Sequence, residues 1–541
     1  MRKILVTSAL VYANGPMHLG HILEQIQVDI WVRFQKLRGN QCLYICGDDA
    51  HGTPIMIAAQ REKISPEELV SKVKVFHEED ALGFLINFDN YYTTHSQENL
   101  ELTNLFYHRL KDNGDIEVRA INQVYDEDAG MFLPDRYVKG TCPKCGAPDQ
   151  YGDNCEHCGA TYSASELLEP LSIISGKPPV QRRTEHYFFK LHKYEGFLRE
   201  WVRFNLPIEI SNKLDEWFSQ GLKDWDISRD SPYFGFEIPD VSGKYFYVWL
   251  DAPIGYLASL KNLSLIKNTI IFNDYFSNNS IAELYHFVGK DIVYFHALFW
   301  PAILEAVGYR KPTSIFIHGY LTINGQKMSK SRGTFVLARD YLNHLNPEYL
   351  RYYLASKLNN SIDDIDLNFD DFIKKNNSDL VGKVVNIASR LAGFVNRGFN
   401  GVLADRLDAP LLFENAVAKV PKIAEAFETR NYASAIRLIM EIANTTNQYI
   451  DEHKPWMLAK EHLTDPKIQL IVTMGLNMYK LLIILLKPIV PSLAEQSEIF
   501  LATGSLQWKD CSSPLLNHKI GEFENLISRV DPGKVAAVLG E

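Results

Sequence analysis

A chain of 541 residues, 46% apolar and 23% charged, is ordinary in composition for globular protein but too long for one hydrophobic core; at about 100 to 200 residues per domain, three or four domains are expected. No tract reaches the roughly 18 uninterrupted apolar residues of a membrane span, and residues 481–486, bracketed by Lys480 and Lys487, read as a buried helix. The net charge of −10 gives no electrostatic reason to propose a nucleic-acid partner, although a basic face can sit on an acidic body.

Residues 4–6 are a short apolar run that reads as a buried strand. The run ends at Thr7, too short for a signal peptide, so a cytoplasmic protein is expected. Asn14-Gly15-Pro16 is turn chemistry with proline placed to open a helix, and Leu19, Ile22, Leu23, Ile26 and Ile30 then form one apolar stripe. The amides and dipole of that helix start suit phosphate. His18 and His21, three apart, share a face of its first turn, and Gly20 lets a flat base or ribose lie against the backbone. On spacing alone, the motif is equally a helix start with two solvated histidines. Residues 43–46 read as a second buried strand, ending in Gly47-Asp48-Asp49-Ala50-His51-Gly52. Polar residues at the carboxyl end of a parallel strand make Asp48, Asp49 and His51 ligand candidates; a capped helix start before Thr53-Pro54 fits equally.

From about residue 116 to 227 the sequence is irregular and rich in glycine and proline. Cys142-Pro-Lys-Cys145 and Cys155-Glu-His-Cys158 read as two knuckles converging on one tetrahedral zinc, structural because four thiolates leave no open position. An odd total of seven cysteines without a secretory signal speaks against a disulfide framework. Sheet-like sequence resumes over residues 244–256. Residues 283–296 give strand, glycine turn and helix, and residues 314–319 another strand. These are the second half of a doubly wound sheet, so the insertion projects from one edge. Gly325-Gln326-Lys327-Met328-Ser329-Lys330-Ser331-Arg332-Gly333 is a polar loop with two lysines three apart. Beyond it the chain turns helical: residues 378–395, 416–427, 432–449 and 467–486 are amphipathic, a bundle of about 150 residues.

His18-Leu19-Gly20-His21 after an N-terminal strand, paired with Lys327-Met-Ser-Lys-Ser331, resembles the signature of class I aminoacyl-tRNA synthetases. The segments at 13–21, 47–53, 246–256, 289–296 and 454–456, with the four-cysteine knuckle, extend the resemblance to the methionyl-tRNA synthetase family over nearly the whole length. One departure is Val11, where that family usually has proline. The resemblance implies a Rossmann-like catalytic domain in two halves, 1–115 and 228–325. A connective insertion with the zinc knuckle at 116–227 splits them, a lysine-loop and stem-contact region follows at 326–377, and a helical anticodon-binding domain with a tail occupies 378–541.

It further implies that methionine's carboxylate attacks the α-phosphate of ATP, with magnesium present, and that the adenylate then esterifies tRNA(Met), initiator and elongator. His18, His21, Lys327 and Lys330 would be catalytic. His18, Gly20, His21, Gly289, Asp291 and Lys330 would hold ATP, with Asp291 on a ribose hydroxyl and Gly289 leaving it room. Leu10, Asp49, Trp249, Tyr256 and His296 would hold methionine: Asp49 takes the ammonium, the aromatics wall the thioether, and Tyr256 and His296 each offer its sulfur a hydrogen bond. Asn386, Arg390 and Trp456 would read the anticodon. Rival readings are another nucleotidyl transferase, a synthetase for leucine, isoleucine, valine or cysteine, and a non-catalytic zinc-bearing RNA-binding protein. The first needs neither insertion nor bundle, and the intact histidines and Lys330 argue against the last. A monomer is expected, since the chain ends soon after the bundle.

Overall fold

The computed structural model describes residues 1–540 apart from 153, 154, 156, 159, 161, 163 and 329–334. Strand β1 (Lys3–Ser8) is followed by a two-residue strand β2 (Val11–Tyr12), helix α1 (Leu19–Leu37), β3 (Gln41–Asp49), helices α2 (Thr53–Glu62) and α3 (Pro66–Gly83), β4 (Asn90–Thr93) and helix α4 (Gln97–Asp112). An antiparallel pair, β5 (Ile116–Asp126) and β6 (Val180–Phe189), leads out to the insertion and back. Helix α5 (Val248–Ile266), β7 (Glu283–Gly289) and β8 (Ser314–His318) complete the second half.

The central sheet is parallel, in the order β8, β7, β1, β3, with β2 and β4 both pairing with β3. The chain leaves β1 toward β3 and returns on the other side to β7, so β1 is the switch point beside which open α/β sheets bind ligands. Alternation divides its faces. Ile4, Val6, Cys42 and Tyr44 pack with α1 in a core that runs on into the helical bundle, whereas Leu5, Leu43 and Ile45 face α5.

Several elements depart from the sequence reading. Strand β3 is longer than residues 43–46, because Asp48 and Asp49 pair with Val11 and Tyr12. Helix α1 starts at Leu19 with His18 as its cap, and not at Pro16, because the two imidazoles themselves close its first turn. Residues 248–256, expected in a sheet, open α5. Their aromatic and branched residues read as strand, but Leu250, Ile254, Leu257, Leu260 and Leu263 are buried at helical spacing. Pro253 is tolerated inside that helix at the loss of one backbone bond.

After α6 (Pro347–Lys357), helices Phe369–Asn376 and α7 (Asn386–Phe399) flank a π-helical stretch at residues 377–385. Residues 416–427 divide between two helices, Pro410–Val417 and Val420–Glu428, with Pro421 in the first turn of the second. Then follow α8 (Tyr432–His453), α9 (Pro466–Leu486) and α10 (Pro491–Leu501). Among the described residues α9 has the length and apolarity to cross a membrane, but most of it is buried in the bundle against α7 and α8.

Candidate functional site

At the start of α1 the two histidines hold each other. The Gly20 amide donates to His18 Nδ1 at 3.0 Å, the His18 amide donates to His21 Nδ1 at 3.3 Å, and the rings stack 3.8 Å apart. Because each Nδ1 accepts, the proton of each neutral ring sits on Nε2. Burial, with help from His18 and His77, pushes His21 well below the ordinary histidine range, so it is neutral. This corrects one expectation. The first-turn amides do not stand open for phosphate: besides the two imidazole bonds, Leu19 N donates to Val336 O at 3.1 Å and His21 N to His18 O at 3.0 Å. Gly20 serves the cap as well as any ligand, since a Cβ there would stand 2.8 Å from His18 Cε1 and from the Met328 methyl.

Those contacts bring the distant loop to the same place. Met328 covers Gly20, the Phe335 ring meets His18 edge-on at 5.1 Å, and Ala338 N donates to Met17 O at 3.0 Å. Lys327 ends a short exposed strand, Gln326–Lys327, while Lys330 lies outside the described residues.

A cavity of about 180 Å³ opens at the carboxyl ends of β1, β3 and β7. All five residues expected to hold an amino acid line it, Leu10, Asp49, Trp249, Tyr256 and His296, together with Asp291. Trp249, Pro253 and Tyr256 fall on one face of α5 because their spacings are four and three. Leu10 reaches the cavity because the chain breaks between β1 and β2, where Ala9 N donates to Glu24 Oε1 at 2.6 Å and to Phe287 O at 3.1 Å. Asp49 is half-buried, and its Oδ1 is shielded from solvent with no hydrogen-bond partner among the described residues. Burial and, after it, the neighbouring Asp251 carboxylate push its pKa well above the ordinary carboxylate range.

The sulfur bonds expected of Tyr256 and His296 are already committed elsewhere. His296 Nδ1 donates to Ile292 O at 3.1 Å, which leaves Nε2 to accept the Tyr256 hydroxyl at 3.1 Å. Burial holds His296 at about 4, hence neutral. Gly289 and Asp291 meet closely, since a Cβ on Gly289 would stand 2.6 Å from Asp291 Oδ1. Asp48 and His51 point elsewhere: Asp48 bonds His77 Nδ1 at 2.8 Å, and His51 bridges Asp251 at 2.5 Å and His95 at 3.0 Å. Glu24, His318 and Asp251 carry no signal in the local sequence. Glu24 Oε2 meets His318 Nε2 at 2.9 Å across 294 positions, a pairing that no local pattern announces.

A larger cleft of about 810 Å³ separates the sheet from the insertion, sharing Asp49 and Trp249 with the smaller cavity and adding Arg61, Arg136 and Arg229. In the insertion, the four cysteine sulfurs lie within 4.8 Å of one another. Cys142 and Cys158 sulfurs are 3.9 Å apart and those of Cys145 and Cys155 3.6 Å. Tetrahedral zinc with bonds of about 2.3 Å requires sulfur edges of about 3.8 Å, so the set fits that ion. The amides of Lys144 and Cys145 donate to Cys142 Sγ, and that of Cys158 to Cys155 Sγ, which suits thiolates. In the bundle, Asn386 and Arg390 share an open cavity of about 590 Å³ with Asn444, Gln448 and Asp451. Arg390 donates to Asp451 at 2.6 Å, and its guanidinium lies 4.6 Å from the half-buried Trp456 ring.

Residues 4–392 match the family model described as tRNA synthetases class I (M), and residues 404–523 match that of the anticodon binding domain of methionyl tRNA ligase. Among solved structures, the chain resembles Mycobacterium tuberculosis methionyl-tRNA synthetase in complex with methionyl-adenylate, with a TM-score of 0.79 at 23% identity over 97% of this chain and 99% of that one. It resembles the apo form of the same enzyme with a TM-score of 0.73 at 22% identity, over 98% and 99% of the two chains.

Proposed function

Since the chain belongs to the class I tRNA synthetases of the M group and is a methionine–tRNA ligase, which activates methionine and charges tRNA, we propose how its own residues divide that work. The observation that carries the proposal is Asp49: a buried carboxylate oxygen without a partner, in a small aromatic cavity, suits an ammonium group. Methionine binds with its ammonium on Asp49 and its thioether among Trp249, Tyr256 and His296, with Leu10 closing the near side. The sulfur is recognised by packing against ring edges, since the Tyr256 hydroxyl and the His296 N–H are already committed.

ATP lies over Gly289 with its ribose on Asp291. The Nε2 protons of His18 and His21 meet the phosphates, and Lys327 and Lys330 approach from the loop. ATP carries its own magnesium ion, which screens phosphate charge when bound. Catalysis follows from positioning and from donors aimed where negative charge gathers as pyrophosphate leaves. One zinc ion on Cys142, Cys145, Cys155 and Cys158 holds the insertion's fold without entering the chemistry. The cleft between sheet and insertion, where Arg61, Arg136 and Arg229 stand among Asp49, Asp135, Asp226 and Asp230, opens onto the amino-acid cavity and suits the acceptor end of tRNA, initiator or elongator, by position and not by net charge; Asn386, Arg390 and Trp456 suit unstacked anticodon bases. The working domain limits are 1–115, 116–227, 228–325, 326–377 and 378–541, in a cytoplasmic monomer.

Pyrophosphate exchange measured across a panel of amino acids tests this division. Methionine should dominate, with homocysteine weaker because an apolar wall discriminates one methylene by only about 1 to 3 kcal/mol. Comparable exchange with leucine, isoleucine or valine would overturn it.

A further inference from the structure

Helix α6 (Pro347–Lys357) grips the bundle with two buried charged side chains. Arg351, fully buried, donates from Nε to Ile489 O at 2.8 Å and from Nη2 to Pro488 O at 3.0 Å, in the turn between α9 and α10. Glu348, one turn earlier, accepts from the amides of Ser492 and Leu493 at 2.7 and 3.0 Å, in the first turn of α10. The carbonyls of one helix end and the amides of the next are thus held from a single helix. Arg351 Nη2 also donates at 2.6 Å to Asp29 Oδ2, and Nη1 donates to Phe84 O at 3.2 Å, just past α3.

Asp29 is the other half of the joint. It lies on α1, three turns beyond His18, and also accepts from Arg33 Nε at 2.6 Å and from the Asn87 amide at 3.0 Å. The same helix is fastened to the bundle a second time. Tyr432 donates to Gln27 O at 2.8 Å and Trp31 Nε1 to Glu428 O at 3.1 Å. Tyr432 opens α8, whose 22 residues make a rod about 33 Å long. The far end of that rod carries Gln448 and Asp451 into the cavity of Arg390.

We infer that the buried Asp29–Arg351 pair is a positioning device that sets the bundle, and the cavity at its far end, against the helix that presents His18 and His21. A fork fixed by three carbonyls from two segments and a carboxylate from α1 has one low-energy arrangement, since any shift of the bundle along α1 strands buried charge. Occupancy of the distant cavity is then felt by α1 as a constraint on its position. The inference rests on the proposed roles of the two ends.

Arg351→Met tests it, because Asp29 keeps Arg33 and the Asn87 amide and is not left as a lone buried charge. Charging kcat should fall by about tenfold, inside the roughly 5- to 150-fold range of coupling between sites. Methionine-dependent pyrophosphate exchange and affinity for an isolated anticodon stem-loop should stay within about twofold. Arg351→Lys, which keeps charge without the fork, should recover part of the loss. If exchange fell in the same proportion as charging, or stem-loop affinity weakened by the same factor, Arg351 would be ordinary mortar and the inference would fail. Unchanged charging in Arg351→Met would also refute it. Absence of methionine-dependent exchange in the unmodified enzyme would instead refute the underlying reading.

Discussion

Asp49 and the histidine pair show how burial tunes single side chains for opposite tasks. His21 and His296 are kept neutral by desolvation, so one serves as an N–H donor and the other as an acceptor to Tyr256. Asp49 is pushed toward its protonated form by burial and by Asp251 until a cation arrives. An ammonium ion binds the ionised carboxylate, so methionine binding should release a proton, and KM for methionine should rise as pH falls through the raised pKa of Asp49. Calorimetry in buffers of different ionisation enthalpy reads that proton directly. Proton uptake, or a KM that falls in acid, would remove Asp49 from the ammonium site. Asp49→Asn should raise KM for methionine by roughly 10- to 150-fold, the worth of a charge-assisted bond. The polar cluster of Asp48, Asp49 and His51 was legible in the sequence as a set. Its division was not, because only the packing of His77 and Asp251 shows that Asp48 and His51 are structural and Asp49 is left facing the cavity.

The four-cysteine knuckle is the element most completely written in the sequence, since its spacing alone specifies two turns and four sulfurs, and the sulfurs converge. Cys145→Ser should abolish stoichiometric zinc, measured by atomic absorption, and lower the melting temperature of the insertion. Full metal content in that variant would show that a different ligand set holds the ion. Helix α5 is the opposite case. Val248, Trp249 and the internal Pro253 each favour strand or turn locally, and tertiary burial of Leu250, Ile254 and Leu257 decides the matter. Once α5 is a helix, Trp249 and Tyr256 come to the same cavity, so the site was legible where its element was not. The histidine motif lies between these cases. Strand, turn and helix were readable, but the mutual capping that fixes both tautomers depends on ring geometry, which spacing does not encode.

Across the whole molecule, one hydrophobic core runs from β1 and α1 into the bundle, so the two ends of the enzyme are not independent bodies. The contacts that join them, Asp29 to Arg351 and Tyr432 to Gln27, span hundreds of residues and leave no trace in any local pattern. Trp456 belongs to the far end. Trp456→Ala should leave methionine-dependent exchange intact and lower kcat/KM for tRNA charging by roughly 5- to 150-fold, as loss of one stacked base requires. Equal loss of both activities would assign Trp456 to the core. If imidazoles near residue 20 and a lysine some three hundred residues later act on one triphosphate, single-turnover adenylate formation in a double-mutant cycle of His21→Ala and Lys330→Ala will couple them. Each substitution should slow the step by orders of magnitude, and the pair should lose markedly less than the product of the two, as groups acting as a unit do. Strictly multiplicative losses, or an unchanged rate in Lys330→Ala, would put the histidines and the lysine in separate sites.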